Sequence, residues 1–245
     1  MPKSKKIFFY CFPANDHYFA ALVARSIHYC LENYPDARHV IYPIYGARIY
    51  SSPRSKFPLW IKRIHAITLF LKTEASLTKT SRNGLRRWLQ YGQIKQLEII
   101  SFWQWIAALA LEAAYSPLQL PENVDNFISS FRLKTIPCGD LIVDTFLRFK
   151  GVPQLDLKHW FLRDIIWRAR AIERLTTPYI KGGQQLFYFG SYSTYINHGI
   201  TLRLACSNPN GIAVTYGSLA KGYQIHRGLS TGYLPTHAGY HQFYS

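Results

Sequence analysis

The fold is decided by residues 7–45, which read IFFYCFPANDHYFAALVARSIHYCLENYPDARHVIYPIY. Ile7–Phe12 is a short run of apolar, β-branched and aromatic residues, a composition typical of a buried strand. The apolar spacing over 18–33 predicts a helix, and 39–45 predicts a second strand. Strand, helix and strand at this spacing indicate a βαβ unit, so we expect an α/β protein with a parallel sheet.

Composition limits the class of protein. A chain of 245 residues can bury a full core, and 48% hydrophobic with 16% aromatic residues excludes intrinsic disorder. The cysteines are widely spaced and form no CxxC pair, which argues against a zinc ribbon or a thioredoxin motif. We expect all four to be reduced core residues of a cytoplasmic protein: Cys11, Cys30, Cys138 and Cys206.

Charge is the strongest bulk signal, because the formal net charge is +16. Residues 37–97 hold twelve Lys or Arg and one acid, Glu74. Such a balance indicates an anionic partner: a membrane leaflet, nucleic acid, a nucleotide or an acidic glycan. Over 54–95 the basic residues are mixed with aromatics, which favours an anionic lipid surface and also suits base stacking. A solvated basic face is the alternative.

A second informative stretch is 139–148, GDLIVDTFLR. If it is helical, Asp140, Asp144 and Arg148 lie on one face. A carboxylate there can act as general base or orient a hydroxyl, while Arg148 binds an anionic group. The alternative is a structural row of ion pairs at a helix start, where Asp also favours the helix dipole.

The third stretch is 195–205, YINHGITLRLA, which follows a predicted strand at 184–190. We expect Gly199 to interrupt the helix, so that the backbone turns sharply between His198 and Arg203. His198 is a candidate acid, base or phosphate ligand, because ligands of open parallel sheets bind beyond the carboxyl ends of strands. A hydrogen-bonded core histidine is the alternative.

Polar residues also follow the first strand, at Asn15, Asp16 and His17. They are expected to face the same crevice, although a plain helix cap explains them equally well. The sequence has no GxxxxGK[ST], GxGxxG, HExxH or GxSxG motif and no His–Cys metal spacing. No metal site is therefore expected.

Together, the second and third stretches resemble a family of bacterial surface-polysaccharide biosynthesis proteins of the capsule and O-antigen type. Members carry Gly-Asp, two apolar residues, Asp, Thr or Ser, an apolar residue and Leu-Arg. They follow it with Tyr-x-x-His-Gly-Ile-x-x-Arg-x-Ala and a short strand. The match covers 136–217 of this chain.

The resemblance implies a glycosyltransferase with two Rossmann-like halves, the GT-B arrangement, and a nucleotide sugar as substrate rather than a bound cofactor. It implies a glycan or lipid-linked acceptor, and a protein on the cytoplasmic face of the plasma membrane. Candidate catalytic residues are Asp144, His198, Asp16 and His17; candidate substrate-binding residues are Asp140, Arg148, Tyr195, Arg203 and Asn15.

Two halves need more than 245 residues, at roughly 150 each. The expected organisation is therefore an acceptor-side Rossmann-like domain at 1–220 with a basic helical insertion at about 54–120. Residues 221–245 are expected to be a linker or the truncated start of a second domain. A fragment or one subunit of a split enzyme would explain this length.

Two other functions fit parts of the sequence. A basic nucleic-acid-binding module would explain the charge, but it would give Asp140 and Asp144 no purpose, so nucleic acid is not the expected partner. A non-catalytic, membrane-associated partner in polysaccharide assembly would explain the charge and the aromatic residues together.

Overall fold

The computed structural model describes residues 6–13, 17–45, 97–115, 120, 123–134, 136–151, 153–180, 183–191, 195–216 and 223–227. In chain order its elements are β1 (Ile7–Phe12), α1 (His17–Asn33), β2 (Arg38–Pro43), β3 (Leu97–Ile99), α2 (Phe102–Tyr115), α3 (Val124–Ser130), α4 (Gly139–Lys150), α5 (Trp160–Ile180), β4 (Leu186–Gly190), α6 (Tyr195–Ser207), β5 (Gly211–Tyr216) and β6 (Tyr223–Arg227).

One sheet organises the described residues, with strand order β3-β2-β1-β4-β5-β6. The first five strands are parallel, and β6 pairs antiparallel with β5 at the edge. The α/β Rossmann-like fold class is therefore confirmed. The order reverses at β1, whose neighbours are β2 and β4. In open parallel sheets, such a reversal creates a crevice at the carboxyl ends of the strands.

The two faces of the sheet are covered by different helices. Phe8, Tyr10 and Phe12 of β1 pack with the apolar side of α1. The alternate residues Ile7, Phe9 and Cys11 pack into a larger core built from the helices that follow β3. Both faces of β1 are buried because side chains alternate along a strand, which explains its uninterrupted apolar sequence.

Three expectations about secondary structure differ from what is observed. The apolar run from Ile99 to Tyr115 predicts a buried helix. Instead, Ile99 ends strand β3, and α2, which begins at Phe102, is half exposed. Gly199 does not break α6, because the helix runs unbroken from Tyr195 to Ser207. Glycine lowers helix propensity by only about 1 kcal/mol, which the packing of this buried helix outweighs.

The last described segment also departs from expectation. Tyr223–Arg227 forms β6 and adds a strand to the sheet of this domain, whereas 221–245 was expected to be a linker or the start of a second domain. The rest of that range lies outside the described residues. Most of the predicted insertion at 54–120 also lies outside them, apart from residues 97–115 and residue 120.

All four cysteines are free and buried, as expected. Burial raises the pKa of the Cys11 and Cys206 thiols to about 11 and that of Cys138 to about 12. These thiols stay protonated near neutral pH, so they are poor nucleophiles. Among the described residues, no helix has the length and apolar character needed to cross a bilayer.

Candidate functional site

The carboxyl end of β4 lies beside the start of α6. Tyr10 of β1 lies opposite Phe189 of β4, so both strands end at the same edge of the sheet. Ser191, the residue after β4, is fully buried, and its Oγ lies 2.9 Å from Nδ1 of His198 in the first turns of α6. The hydrogen bond fixes the orientation of the imidazole, which is half-buried at the carboxyl edge.

The first residue of α6 has an unusual backbone. Tyr195 has a φ of 60°, in the left-handed region that residues other than glycine rarely adopt. Such a conformation costs about 1–3 kcal/mol and persists only where surrounding contacts impose it. One such contact is the ring of Phe149, at a centroid distance of 6.0 Å from that of Tyr195.

A second contact comes from Thr145 on α4. Its fully buried hydroxyl donates to the Leu141 carbonyl at 2.6 Å and accepts from the Ile196 backbone N–H at 3.0 Å. The first N–H groups of a helix have no partner within the helix, so Thr145 caps α6 from a neighbouring element. The stretch 139–148 thus supplies a capping group for the helix that begins in the stretch 195–205.

The charged residues of α4 do not form one row of ion pairs. Arg203 of α6 donates from Nη1 to Asp140 Oδ1 at 2.7 Å and from Nη2 to Asp140 Oδ2, so the pair is bidentate. Nη1 also donates to the Pro137 carbonyl at 2.7 Å. Arg203 is only 1% exposed. The carboxylate partner of this buried cation is therefore on α4, 63 residues away in sequence.

The remaining candidate residues are spread along these two helices. Asp144 is half-buried one turn after Asp140, and Arg148 is exposed near the end of α4. The contact between Phe149 and Tyr195 places that end of α4 beside the start of α6. Asn15, Asp16 and the side chain of His17 lie outside the described residues. The roles predicted for these three residues therefore stay predictions.

The relative direction of α4 and α6 shows that the candidate site residues lie in two separate places. Asp140 contacts Arg203 while Phe149 contacts Tyr195, so α4 and α6 are antiparallel. Arg203 follows His198 by five residues, about 7.5 Å along the helix axis. His198 and Tyr195 are thus at the carboxyl edge, and the Asp140–Arg203 pair lies deeper between the helices. Asp140 therefore compensates the buried charge of Arg203 without a substrate.

Two polar residues of this region were not predicted as site residues, Ser191 and Thr145. Ser191 follows a predicted strand directly, which is the same signal that singled out Asn15 and Asp16. Thr145 stands within the second stretch, but its role depends on Ile196, 51 residues later. Within the described ranges, no group of three or more His, Cys, Asp or Glu side chains is arranged to hold a metal ion.

The chain matches no protein-family model, and no curated protein or solved structure is significantly similar to it. Its activity must therefore be inferred from its own residues and their geometry.

Replacing Thr145 with Val should destabilise the protein by about 1–3 kcal/mol, because Val keeps the shape but leaves the buried Ile196 N–H without a partner. Thr145→Ser keeps the hydroxyl and should recover most of that loss. Urea unfolding of the three proteins measures the difference. If Val and Ser variants are equally stable, the hydroxyl does not cap α6.

Proposed function

We propose that this chain is the acceptor-side domain of a glycosyltransferase that builds bacterial surface polysaccharide. The observation that carries the proposal is the hydrogen bond between Ser191 and His198 at the carboxyl edge, beside the strand reversal. Ligands of open α/β sheets bind at that place. The resemblance of 136–217 to capsule and O-antigen biosynthesis proteins supplies the class of reaction, and the net charge of +16 suits its anionic substrates.

In the proposed reaction, His198 removes the proton from an acceptor hydroxyl as that oxygen attacks the anomeric carbon of a nucleotide sugar. The bond from the anomeric carbon to the diphosphate breaks, and the nucleoside diphosphate leaves with the electron pair. Ser191 holds the imidazole through Nδ1, and in this scheme Nε2 is the nitrogen that takes the proton. Arg148, exposed beside the start of α6, binds an anionic group of the acceptor.

Asp144 has a supporting place in this scheme. It lies on the turn of α4 that precedes Arg148 and directly before Thr145, whose hydroxyl caps α6. A half-buried carboxylate at this position orients the acceptor or favours the protonated imidazole that forms during transfer. Asp16 and His17, which follow β1 in sequence, are proposed to border the crevice from the other side.

The proposal is tested by nucleoside diphosphate release from a panel of nucleotide sugars, with extracted bacterial lipid-linked glycans as acceptors. His198→Gln is expected to lower turnover by about 10²–10⁴, the usual contribution of a general base. His28→Gln is the matched control, because His28 is also half-buried but lies on α1, across the sheet. Equal rates in the two variants would remove His198 from the mechanism.

A binding measurement separates loss of the acceptor site from loss of the donor site. Titration of the acceptor glycan should shift the imidazole resonances of His198 in an NMR spectrum and leave those of His28 unchanged. A chain that binds acceptor but releases no nucleoside diphosphate would keep the acceptor-side assignment and overturn transfer by this chain alone. A chain that does neither would overturn the proposal.

A further inference from the structure

His159 directly precedes α5 and caps that helix with its ring. Its Nδ1 accepts a hydrogen bond from the backbone N–H of Phe161 at 3.1 Å. Its carbonyl oxygen accepts from the Leu162 N–H at 3.0 Å, so one residue satisfies two donors at the start of α5. The side-chain oxygen of Ser, Thr, Asp or Asn usually fills this position, and none of these changes charge near neutral pH. A histidine cap differs because its ring titrates there.

The cap requires a neutral imidazole. The Phe161 N–H can only donate, so Nδ1 carries no proton and Nε2 holds the ring proton. Protonation of Nδ1 would set one N–H against another. It would also add a positive charge at the end of the helix where the dipole is already positive. The charge on the ring therefore decides whether α5 is capped.

The capped turn also joins α5 to α4. The ring of Phe146 on α4 contacts the rings of His159 and Phe161, at centroid distances of 5.6 and 5.7 Å. Phe146 follows Thr145, the residue whose hydroxyl caps α6. Opening of the first turn of α5 would thus remove packing partners from the part of α4 that supports the start of α6.

The surroundings of the ring favour its neutral form. The pKa of His159 is lowered from its ordinary value, first by burial and then by the Lys150 ammonium on α4, while the Asp156 carboxylate opposes this change. Oδ1 of Asp156 accepts from the Lys158 backbone N–H at 2.9 Å. Among the described residues, two exposed cations and one ion pair are also close in sequence: Lys158, Arg163, and Asp164 with Arg168.

We propose that His159 is an acid-sensitive cap, whose protonation opens the first turn of α5 and loosens its contact with α4. In the open turn the ring is in water and binds a proton more readily than in the capped turn, so acid favours the open state. The capped turn is fully stable above about pH 6.5, the ordinary pKa of histidine. That stability is lost as the pH falls through the lower pKa of the capped ring. The switch does not depend on the proposed transfer reaction, since none of its residues is a candidate catalytic group.

The test is hydrogen exchange of the Phe161 amide in the whole chain, expressed as a protection factor, at about pH 7.5 and about pH 5, on either side of the ordinary histidine pKa. In wild type the protection factor should fall about fivefold, which corresponds to about 1 kcal/mol for a lost cap. His159→Asn should show no such fall, because Asn caps helices well and does not titrate. A long-range ¹H–¹⁵N spectrum of wild type at neutral pH should place the ring proton on Nε2.

His28→Gln is the matched control, because His28 is also half-buried but lies on α1, across the sheet. This variant should keep the wild-type fall. His39 is buried and its pKa is lowered by that burial, so acid also acts elsewhere, and equally in wild type and His159→Asn. The difference between those two proteins at Phe161 therefore isolates the cap. An equal fall in both, or a proton on Nδ1 at neutral pH, would overturn the proposal.

Discussion

Replacing Asp140 with Asn is expected to lower the free energy of unfolding by about 3–5 kcal/mol. The variant leaves Arg203, a cation that is 1% exposed, without its bidentate carboxylate. Asn has one carbonyl oxygen and no charge, so it cannot compensate a guanidinium that has been taken out of water. Domains of this size are stable by only about 5–15 kcal/mol, so the loss is a large fraction of the total.

An exposed ion pair in the same protein provides the control. Arg38 and Glu98 join neighbouring strands β2 and β3 with an Nη2–Oε2 distance of 2.6 Å, and their side chains are 47% and 40% exposed. Glu98→Gln should cost about 1 kcal/mol or less, because water screens and replaces such a pair. Urea unfolding of both variants makes the comparison. Similar losses would show that burial does not set the strength of the Asp140–Arg203 pair.

A double variant separates the unpaired charge from the lost contact. Asp140→Leu combined with Arg203→Met removes both charges and keeps most of the apolar volume. Such replacements of buried ion pairs are often neutral or stabilising. We expect the double variant to be more stable than Asp140→Asn. If it is less stable, the pair contributes a net attraction to the fold, and the two helices need it for more than charge balance.

The sheet could be predicted from the sequence because its signals are local. Ile7–Phe12 has the continuous apolar run of a strand buried on both faces, and β1 has the predicted bounds. The glycine at 199 misled the prediction for α6, because local propensity competes with packing and packing wins in a buried helix. Tyr223–Arg227 is a short edge strand that forms by pairing with β5. Its own composition resembles that of a loop, so the sequence did not predict it.

The place of one candidate residue could be predicted for the same reason. His198 follows a strand in the sequence, and that local signal correctly places it near the carboxyl edge of the sheet. Pairing across helices is not contained in any local pattern. Helical spacing puts Asp140 in one row with Asp144 and Arg148, yet the partner of Asp140 is Arg203. The Thr145 hydroxyl likewise accepts from the Ile196 N–H of another helix. These contacts join residues that are 51 and 63 positions apart in the sequence, so they can be identified only once the fold is known.

The largest steric effect is expected for Gly139→Ala. A Cβ at this position would overlap the Phe127 carbonyl oxygen and lie 2.7 Å from that of Ile128, because α3 crosses the start of α4 there. Both obstacles are backbone atoms, so no side-chain rotation relieves them. Ala gains at most about 1 kcal/mol of helix propensity over Gly. Overpacking costs about 1–3 kcal/mol, and more where backbone must move, so we expect a net loss of about 3 kcal/mol.

The glycine at the other end of α4 is the control, and it decides what the Gly-Asp pair of the second stretch means. Gly151 has a φ of 67°, and a Cβ added there would meet no atom within 4 Å. Gly151→Asn should therefore cost only about 1 kcal/mol, from the left-handed backbone, which Asn adopts more readily than most residues. Thermal unfolding with circular dichroism ranks the two variants. A severe loss at Gly139 alone means that close helix packing, rather than substrate binding, requires glycine before Asp140. A stable Gly139→Ala variant would contradict this steric explanation.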